Sequence, residues 1–171
     1  MILVVDVGNT HTVIGLYQGK KLTHHWRLLT ESERTADEYG VVLRSLFSSA
    51  DLTFSTVQGI VVSSVVPPMN TMTEELVHKY FRLAPLMVGP GIKTGMPILY
   101  DNPREVGADR IVNAVAAYER YHDATIVVDF GTATTFDYIT KAGEYLGGAI
   151  VPGVGISLDA LFHKTAKFKD S

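Results

Sequence analysis

The run ILVVDVG at residues 2–8 is apolar almost throughout and reads as a buried strand. TVIGLYQ at 12–18 and LTHHWRL at 22–28 follow, and QGKK between them supplies a turn, so the opening predicts a three-stranded antiparallel meander. Thr35-Ala36-Asp37-Glu38 is a capping-box pattern, with a hydroxyl for the third amide and Glu38 reaching back. It opens a helix whose apolar residues Tyr39, Val42, Leu43, Leu46 and Phe47 fall at helical spacing. VQGIVVSSVV at 57–66 is a long apolar strand, stopped by Pro67-Pro68. A helical segment over 70–81 and a short strand at PLMVG, 85–89, come next. Asn102-Pro103 predicts a helix start with proline at the first helical position, running to about His122. ATIVVDFG at 124–131 is another apolar strand, FDYIT and EYLGGAI flank a turn at 141–143, and 156–168 has a helical pattern. Strands and helices alternate after the first meander, so the class is α/β.

Composition narrows what this chain does. At 171 residues, 46% hydrophobic and 19% charged, it can bury a real core. A net charge of −3 leaves no basic footprint for nucleic acid. The absence of cysteine excludes disulfides, a thiol nucleophile and thiolate metal sites. The first apolar run is broken by Asp6, too soon for a signal peptide, and no stretch approaches the ~20 apolar residues that span a bilayer. A cytoplasmic protein with no membrane partner is the default expectation. His24-His25 sits on a predicted strand, where neighbours point to opposite faces, so the two do not share a metal.

The opening strand ends on Asp6-Val7-Gly8-Asn9-Thr10, and Asp129-Phe130-Gly131-Thr132 repeats that plan. Each copy runs strand, Asp, x, Gly, hydroxyl-bearing residues, then a second strand, a glycine turn and a third strand. Glycine lets a backbone approach a phosphate closely, and successive N–H groups in a turn form an anion nest. Thr10 and Thr132 add hydroxyls, while Asp6 and Asp129 would repel phosphate unless cations lie between. Two such hairpins facing each other would pinch a polyphosphate. There is no G-x-x-x-x-G-K-[ST] loop, and the glycine spacing at Gly91-Ile92-Lys93-Thr94 is wrong for one, which leaves Lys93 a solvated loop residue. No G-x-G-x-x-G follows a strand.

Gly107-Ala108-Asp109-Arg110 lies early in the helix after Asn102-Pro103. One carboxylate there can take the proton of an attacking hydroxyl, and Arg110 beside it can hold an anionic part of the same molecule in a fork. The tetrapeptide alone is more commonly just an acidic residue in a helix's first turn with a surface partner.

DVGNT, SSVVPP, YDNP, GADR, DFGTATTFD and GGAIVPG, in this order and over essentially the whole chain, resemble the type III pantothenate kinases of the actin, hexokinase and heat-shock-chaperone ATPase superfamily. The resemblance implies two ribonuclease-H-like lobes with mixed sheets and ATP in the cleft. Residues 1–122 would form the N-terminal lobe with the first phosphate hairpin and the acceptor-site helix, and 123–171 the start of the second lobe. It implies transfer of the γ-phosphoryl group of ATP to the primary hydroxyl of pantothenate. Asp6, Val7, Gly8, Asn9, Thr10, His11, Thr12 and Val13 would hold ATP phosphates, with Thr132 also touching ATP; by itself His11 reads as a turn residue. Tyr100, Gly107, Ala108, Asp109 and Arg110 would hold pantothenate, with Asp109 as the base. Asp129 would bind a monovalent cation, potassium or ammonium, and magnesium would accompany ATP. Family members are homodimers, and Ile111–Tyr118 serves either that interface or an internal core face. Against the family the chain stops early, at Ser171, so the second lobe is expected to be incomplete and to expose a sheet edge and an apolar face. Two other readings stay open: a kinase of the superfamily with another acceptor, and a non-catalytic nucleotide-binding regulator.

Overall fold

Alternation of apolar residues along β1 (Ile2–Val7) sends Leu3 and Val7 into a core where each is 1% exposed. This strand is central in the computed structural model, which describes residues 1–89 and 92–164. It pairs antiparallel with β2 (His11–Gln18), and β2 pairs antiparallel with β3 (Lys21–Leu29). On its other edge β1 takes β4 (Gly59–Ser64) in parallel, and β4 takes β5 (Leu86–Val88) in parallel, giving the order β3-β2-β1-β4-β5. One core collects Leu3, Ile14, Leu16, Ile60 and Val62 from the sheet with residues of two helices, α1 (Ala36–Ser49) and α2 (Pro67–Leu76).

The capping box forms as expected: the Glu38 carboxylate accepts from the Thr35 backbone N–H at 2.8 Å, and the Glu38 N–H donates to Thr35 Oγ1 at 3.3 Å. Tyr39, Leu43 and Phe47 are the buried stripe of α1. Trp26 stacks on Phe47 with ring centroids 5.4 Å apart, while His24 is half-buried and His25 exposed, as strand alternation requires. The second helix starts earlier than expected. Pro67 and Pro68 occupy its first turn, where a missing N–H costs nothing, so they begin α2 rather than separate it from the strand. Its last residues pass into a π-turn, Val77–Phe81, closed by Arg82 in the left-handed region.

The chain divides into two compact units, Met1–Gly89 and Pro90–Ser171. In the second, β6 (Thr125–Phe130), β7 (Ala133–Ile139) and β8 (Tyr145–Pro152) form an antiparallel sheet in that order. Residues 97–99 run beside the start of β8: the Leu99 N–H donates to Tyr145 O at 2.8 Å and the Tyr145 N–H to Pro97 O at 2.9 Å. Asn102-Pro103 yields only a one-turn 3-10 helix, Pro103–Glu105. Val106 leaves the helical path, extended and 3% exposed, to put its side chain into the core, and α3 (Ala108–Tyr121) starts afresh with Gly107 at its N-cap.

Sequence reading assigned α3 to the first lobe. In the structure its stripe of Ile111, Ala114, Val115 and Tyr118 packs with Val127, Ile139 and Tyr145 of the second sheet, so the helix belongs with the second unit. That packing makes much of 111–118 an internal core face. The opposite face of the sheet carries exposed apolar residues, with Ile126 at 64% and Phe130 at 74% exposure. A further helix, α4 (Val154–Lys164), follows β8; the expected extension to 168 falls outside the described residues. Among the described residues no helix is long and apolar enough to cross a membrane.

Candidate active site

The hairpin between β1 and β2 is tied from its own unit. The Gly8 N–H donates to His11 O at 3.0 Å, the Thr30 hydroxyl to Gly8 O at 2.7 Å, and the Thr30 N–H to Thr10 O at 3.0 Å. Thr12, 4% exposed, shares a 2.9 Å hydroxyl contact with Thr30. The Val7 side chain and the Thr12 hydroxyl are therefore committed inward, and Val13 is half-buried. Asp6, Asn9, Thr10 and His11 are exposed, with Asp6 in register with Val13 on one side and Ser63 on the other. Thr30 braces this turn from beyond β3, and nothing in the local pattern announces it.

In the second unit the matching turn is one residue shorter. Asn9 and Thr10 separate Gly8 from its partner His11, whereas Thr132 alone separates Gly131 from Ala133, to whose carbonyl the Gly131 N–H donates at 2.9 Å. The Gly153 N–H donates to Thr132 O at 3.0 Å. A Cβ on Gly153 would overlap the carbonyls of Gly131 and Thr132, so β8 can close over this turn only as glycine. Neither Gly8 nor Gly131 has a positive φ, and a Cβ on Gly131 would sit 3.5 Å from its nearest neighbour, an ordinary contact. Backbone handedness therefore does not demand the glycines of these two turns.

One face of the second unit gathers three carboxylates and one guanidinium. Asp129, near the end of β6, is exposed, and Asn113 Nδ2 from α3 donates to its Oδ2 at 3.1 Å. Asp109, in the first turn of α3, is half-buried, and its Oδ1 accepts the Arg110 N–H at 2.8 Å. Burial raises its pKa above the ordinary aspartate value; that N–H works against the rise, and the Asp129 charge adds to it.

Arg110 turns inward. Its Nε donates to Asp137 Oδ1 at 2.7 Å, and its Nη2 lies 2.6 Å from the same oxygen without the alignment to donate. The Tyr145 hydroxyl donates to that oxygen too, at 2.6 Å. Asp137 is 1% exposed and Tyr145 fully buried. Burial and the Asp137 carboxylate both push the Tyr145 hydroxyl pKa well up. For Arg110 burial disfavours the charge, but Asp137 outweighs it and the pKa rises. A Cβ on Gly148, opposite Asp137 on β8, would overlap Phe136 O and come within 3.0 Å of Arg110 Nη2.

Tyr100 is 39% exposed, and its ring covers Gly147 so closely that a Cβ there would lie 2.7 Å from it. Gly107 supplies the α3 N-cap, and Ala108, 6% exposed, presents no side chain outward. Asp109, Arg110 and Asp129 are thus brought together by α3 and its sheet, while Asn113, Asp137 and Tyr145 are partners that sequence reading left without a role. Asp137 does stand in the quoted run DFGTATTFD, two strand positions from Thr135, and that is the signal that could have found it.

A family model for type III pantothenate kinases matches residues 2–171. The curated type III pantothenate kinase of Myxococcus xanthus (strain DK1622) is 58% identical over 167 residues, which is 98% of this chain and 65% of that protein. The curated enzyme of the same description from Pelobacter propionicus is 59% identical, again over 98% of this chain, and 66% of its own length is covered. The chain therefore spans just under two thirds of the length of these relatives. Among solved structures, an Aquifex aeolicus Ppx/GppA phosphatase superposes with a TM-score of 0.55 at 17% identity, covering 96% of this chain and 56% of the other, a likeness of fold.

Proposed function

This chain belongs to the type III pantothenate kinase family, and from that premise we propose that it serves ATP-dependent phosphorylation of pantothenate to 4′-phosphopantothenate, a cytoplasmic step towards coenzyme A. The observation that carries the reading is the adjacency, on one helix turn, of a half-buried carboxylate with a raised pKa, Asp109, and a guanidinium held in place, Arg110. A proton acceptor next to an anion fork suits an acceptor with a hydroxyl at one end and a carboxylate at the other.

In the proposed reaction the acceptor's hydroxyl oxygen bonds to the γ-phosphorus as the bond to the β–γ bridging oxygen breaks. ADP leaves with that electron pair. Asp109 Oδ1 is engaged by the Arg110 N–H, which leaves Oδ2 to orient the hydroxyl and receive its proton. The transition state is loose, so positioning and charge neutralisation dominate, and Asp109 acts chiefly as an orienter. Tyr100, Gly107 and Ala108 would line the acceptor's path. Exposed Asn9, Thr10 and His11, with the backbone of Asp6–Val13, would hold phosphates, and Thr132 would touch ATP from its own turn.

The donor set fits the expected cations. Among the described residues no group of three or more His, Cys, Asp or Glu could cage a metal. Magnesium characteristically keeps its waters and substrate phosphates rather than an all-protein cage, and supplies charge neutralisation there. A single exposed carboxylate beside an amide, as at Asp129, suits a weakly held monovalent cation such as potassium or ammonium. Pairing of two copies completes the family pattern.

The test is pantothenate-dependent ATP turnover. Asp109→Asn should lower the rate roughly 10²–10⁴-fold while calorimetry still registers ATP binding. Normal turnover by that variant would remove Asp109 from the chemistry, and turnover with sugars in place of pantothenate would reassign the acceptor.

A further inference from the structure

We propose that Asp137 and Tyr145 are positioning residues for acceptor recognition: together they clamp the Nε side of Arg110 and so aim the rest of its guanidinium at the acceptor's carboxylate. The proposal rests on the reading that Arg110 binds the acid end of pantothenate, and deepens it.

Three features of the cluster point to aiming rather than to simple structural pairing. First, both donors converge on one oxygen. Asp137 Oδ1 takes Arg110 Nε at 2.7 Å and the Tyr145 hydroxyl at 2.6 Å, which fixes the carboxylate and the arginine in one frame. Second, the pair is incompletely satisfied. Asp137 Oδ2 and Arg110 Nη2 are buried without a hydrogen-bond partner. An ion pair selected for stability would close the bidentate fork, and buried pairs even then contribute little net stability. This one sets Nε and Nη2 against a single oxygen, so Asp137 holds that edge of the guanidinium and the remaining Nη1 is the end left to meet a second carboxylate. Third, the arginine has nowhere else to go. Asp137 is 1% exposed, so withdrawal of Arg110 would strand a buried charge, and the Cβ-free backbone of Gly148 leaves the room that Nη2 occupies. A long, rotamer-rich side chain is thereby fixed before the acceptor arrives, which removes the ordering cost from binding.

The experiment uses the whole chain and two variants. Asp137→Asn keeps an acceptor oxygen and the side-chain volume but removes the charge; Tyr145→Phe removes only the second donor. The first measurement is hydrogen exchange of the Arg110 Nε–H by ¹⁵N NMR, assigned through Arg110→Lys. Exchange should quicken about tenfold or more in Asp137→Asn, as loss of a charge-assisted hydrogen bond implies, and by less in Tyr145→Phe. The second is steady-state kinetics. The pantothenate KM should rise about tenfold in Asp137→Asn, on the same principle, while the ATP KM stays where it was and kcat changes little. A purely structural pair would move all three parameters or none. Unchanged Nε–H exchange in both variants overturns the proposal, and so does faster exchange with an unaltered pantothenate KM. If Asp137→Asn does not fold, Tyr145→Phe decides by the same two readings. Should the parent chain turn over no pantothenate, the kinase reading of this chain fails, and the exchange measurement alone then upholds or rejects the clamp.

Discussion

Replacing Tyr145 by phenylalanine isolates one hydrogen bond in the second unit. The ring is fully buried and stays so; only the hydroxyl, 2.6 Å from Asp137 Oδ1, is lost. A hydrogen bond to a charged acceptor contributes about 1.5–3 kcal/mol. The expected loss lies at the low end, about 1.5–2 kcal/mol, because Asp137 Oδ1 keeps Arg110 Nε. In a unit of about 80 residues each kcal/mol moves the melting midpoint by about 4–8 °C, so thermal unfolding followed by circular dichroism should fall by about 5–15 °C. The partner assignment is checked by a double-mutant cycle with Asp137→Asn. With the charge gone, the same Tyr-to-Phe change should cost about half as much, since charge-assisted bonds are roughly twice as strong as neutral ones. An equal loss in both backgrounds, or a loss below about 0.5 kcal/mol with Asp137 present, would refute the reasoning, because the bond would then contribute less than a typical neutral one.

Asp109→Asn should also stabilise the second unit at neutral pH, since burial disfavours the charged form of Asp109. With the folded pKa raised, the native state binds more protons between the unfolded and folded values, so the parent loses stability as pH rises through that window. The variant's advantage should be full above the raised pKa and vanish below the ordinary aspartate range; a urea-melt series across pH that shows a constant offset would contradict this. Asp129→Asn should flatten the potassium response of pantothenate-dependent turnover, and an undiminished response would remove Asp129 as the cation site.

The strands were legible because alternation and long apolar runs survive any tertiary context: β1, β2, β3, β6 and β8 fall within a residue or two of their expected places, and β7 begins three residues earlier than FDYIT. So was α1, whose start is fixed by a side-chain-to-backbone exchange between Thr35 and Glu38. Proline was the weak point. At Pro67-Pro68 it reads as a stop but serves as a start, and at Pro103 it reads as a long helix but gives one turn, because Val106 is drawn into the core. Which sheet α3 packs on is a tertiary fact, decided by Ile111 and Ala114 meeting Ile139 and Tyr145. Asp129 stands out because an acid followed by x-Gly closes an apolar strand and repeats the plan of Asp6, whereas Asp109 and Arg110, ordinary in a helix's first turn, stand out only through the run GADR. Their partners do not. Asn113 is one helix turn from Asp109, Asp137 lies 27 residues from Arg110, and Thr30 lies 22 from Gly8. Nothing local distinguishes those residues from ordinary polar ones until the sheet brings them together.

The two hairpins share a plan but differ in what stands behind their aspartates, and the difference explains where the carboxylates gather. Asp6 is in register with Ser63 on the neighbouring parallel strand, in a unit whose helices bury an apolar core. Asp129 instead meets α3, and through it Asn113 and Asp109. The second unit thus holds Asp109, Asp129 and Asp137 near the guanidinium of Arg110. Asp137 holds the Nε and Nη2 edge of that guanidinium, while Asp109 leans on a backbone N–H and feels the Asp129 charge. Because Asp129 is one cause of the raised Asp109 pKa, any positive charge gathered at Asp129 lowers that pKa and leaves Asp109 more fully ionised. Under the proposed roles, cation binding at Asp129 and proton acceptance at Asp109 would therefore form one electrostatic system, with α3 as the element that couples them.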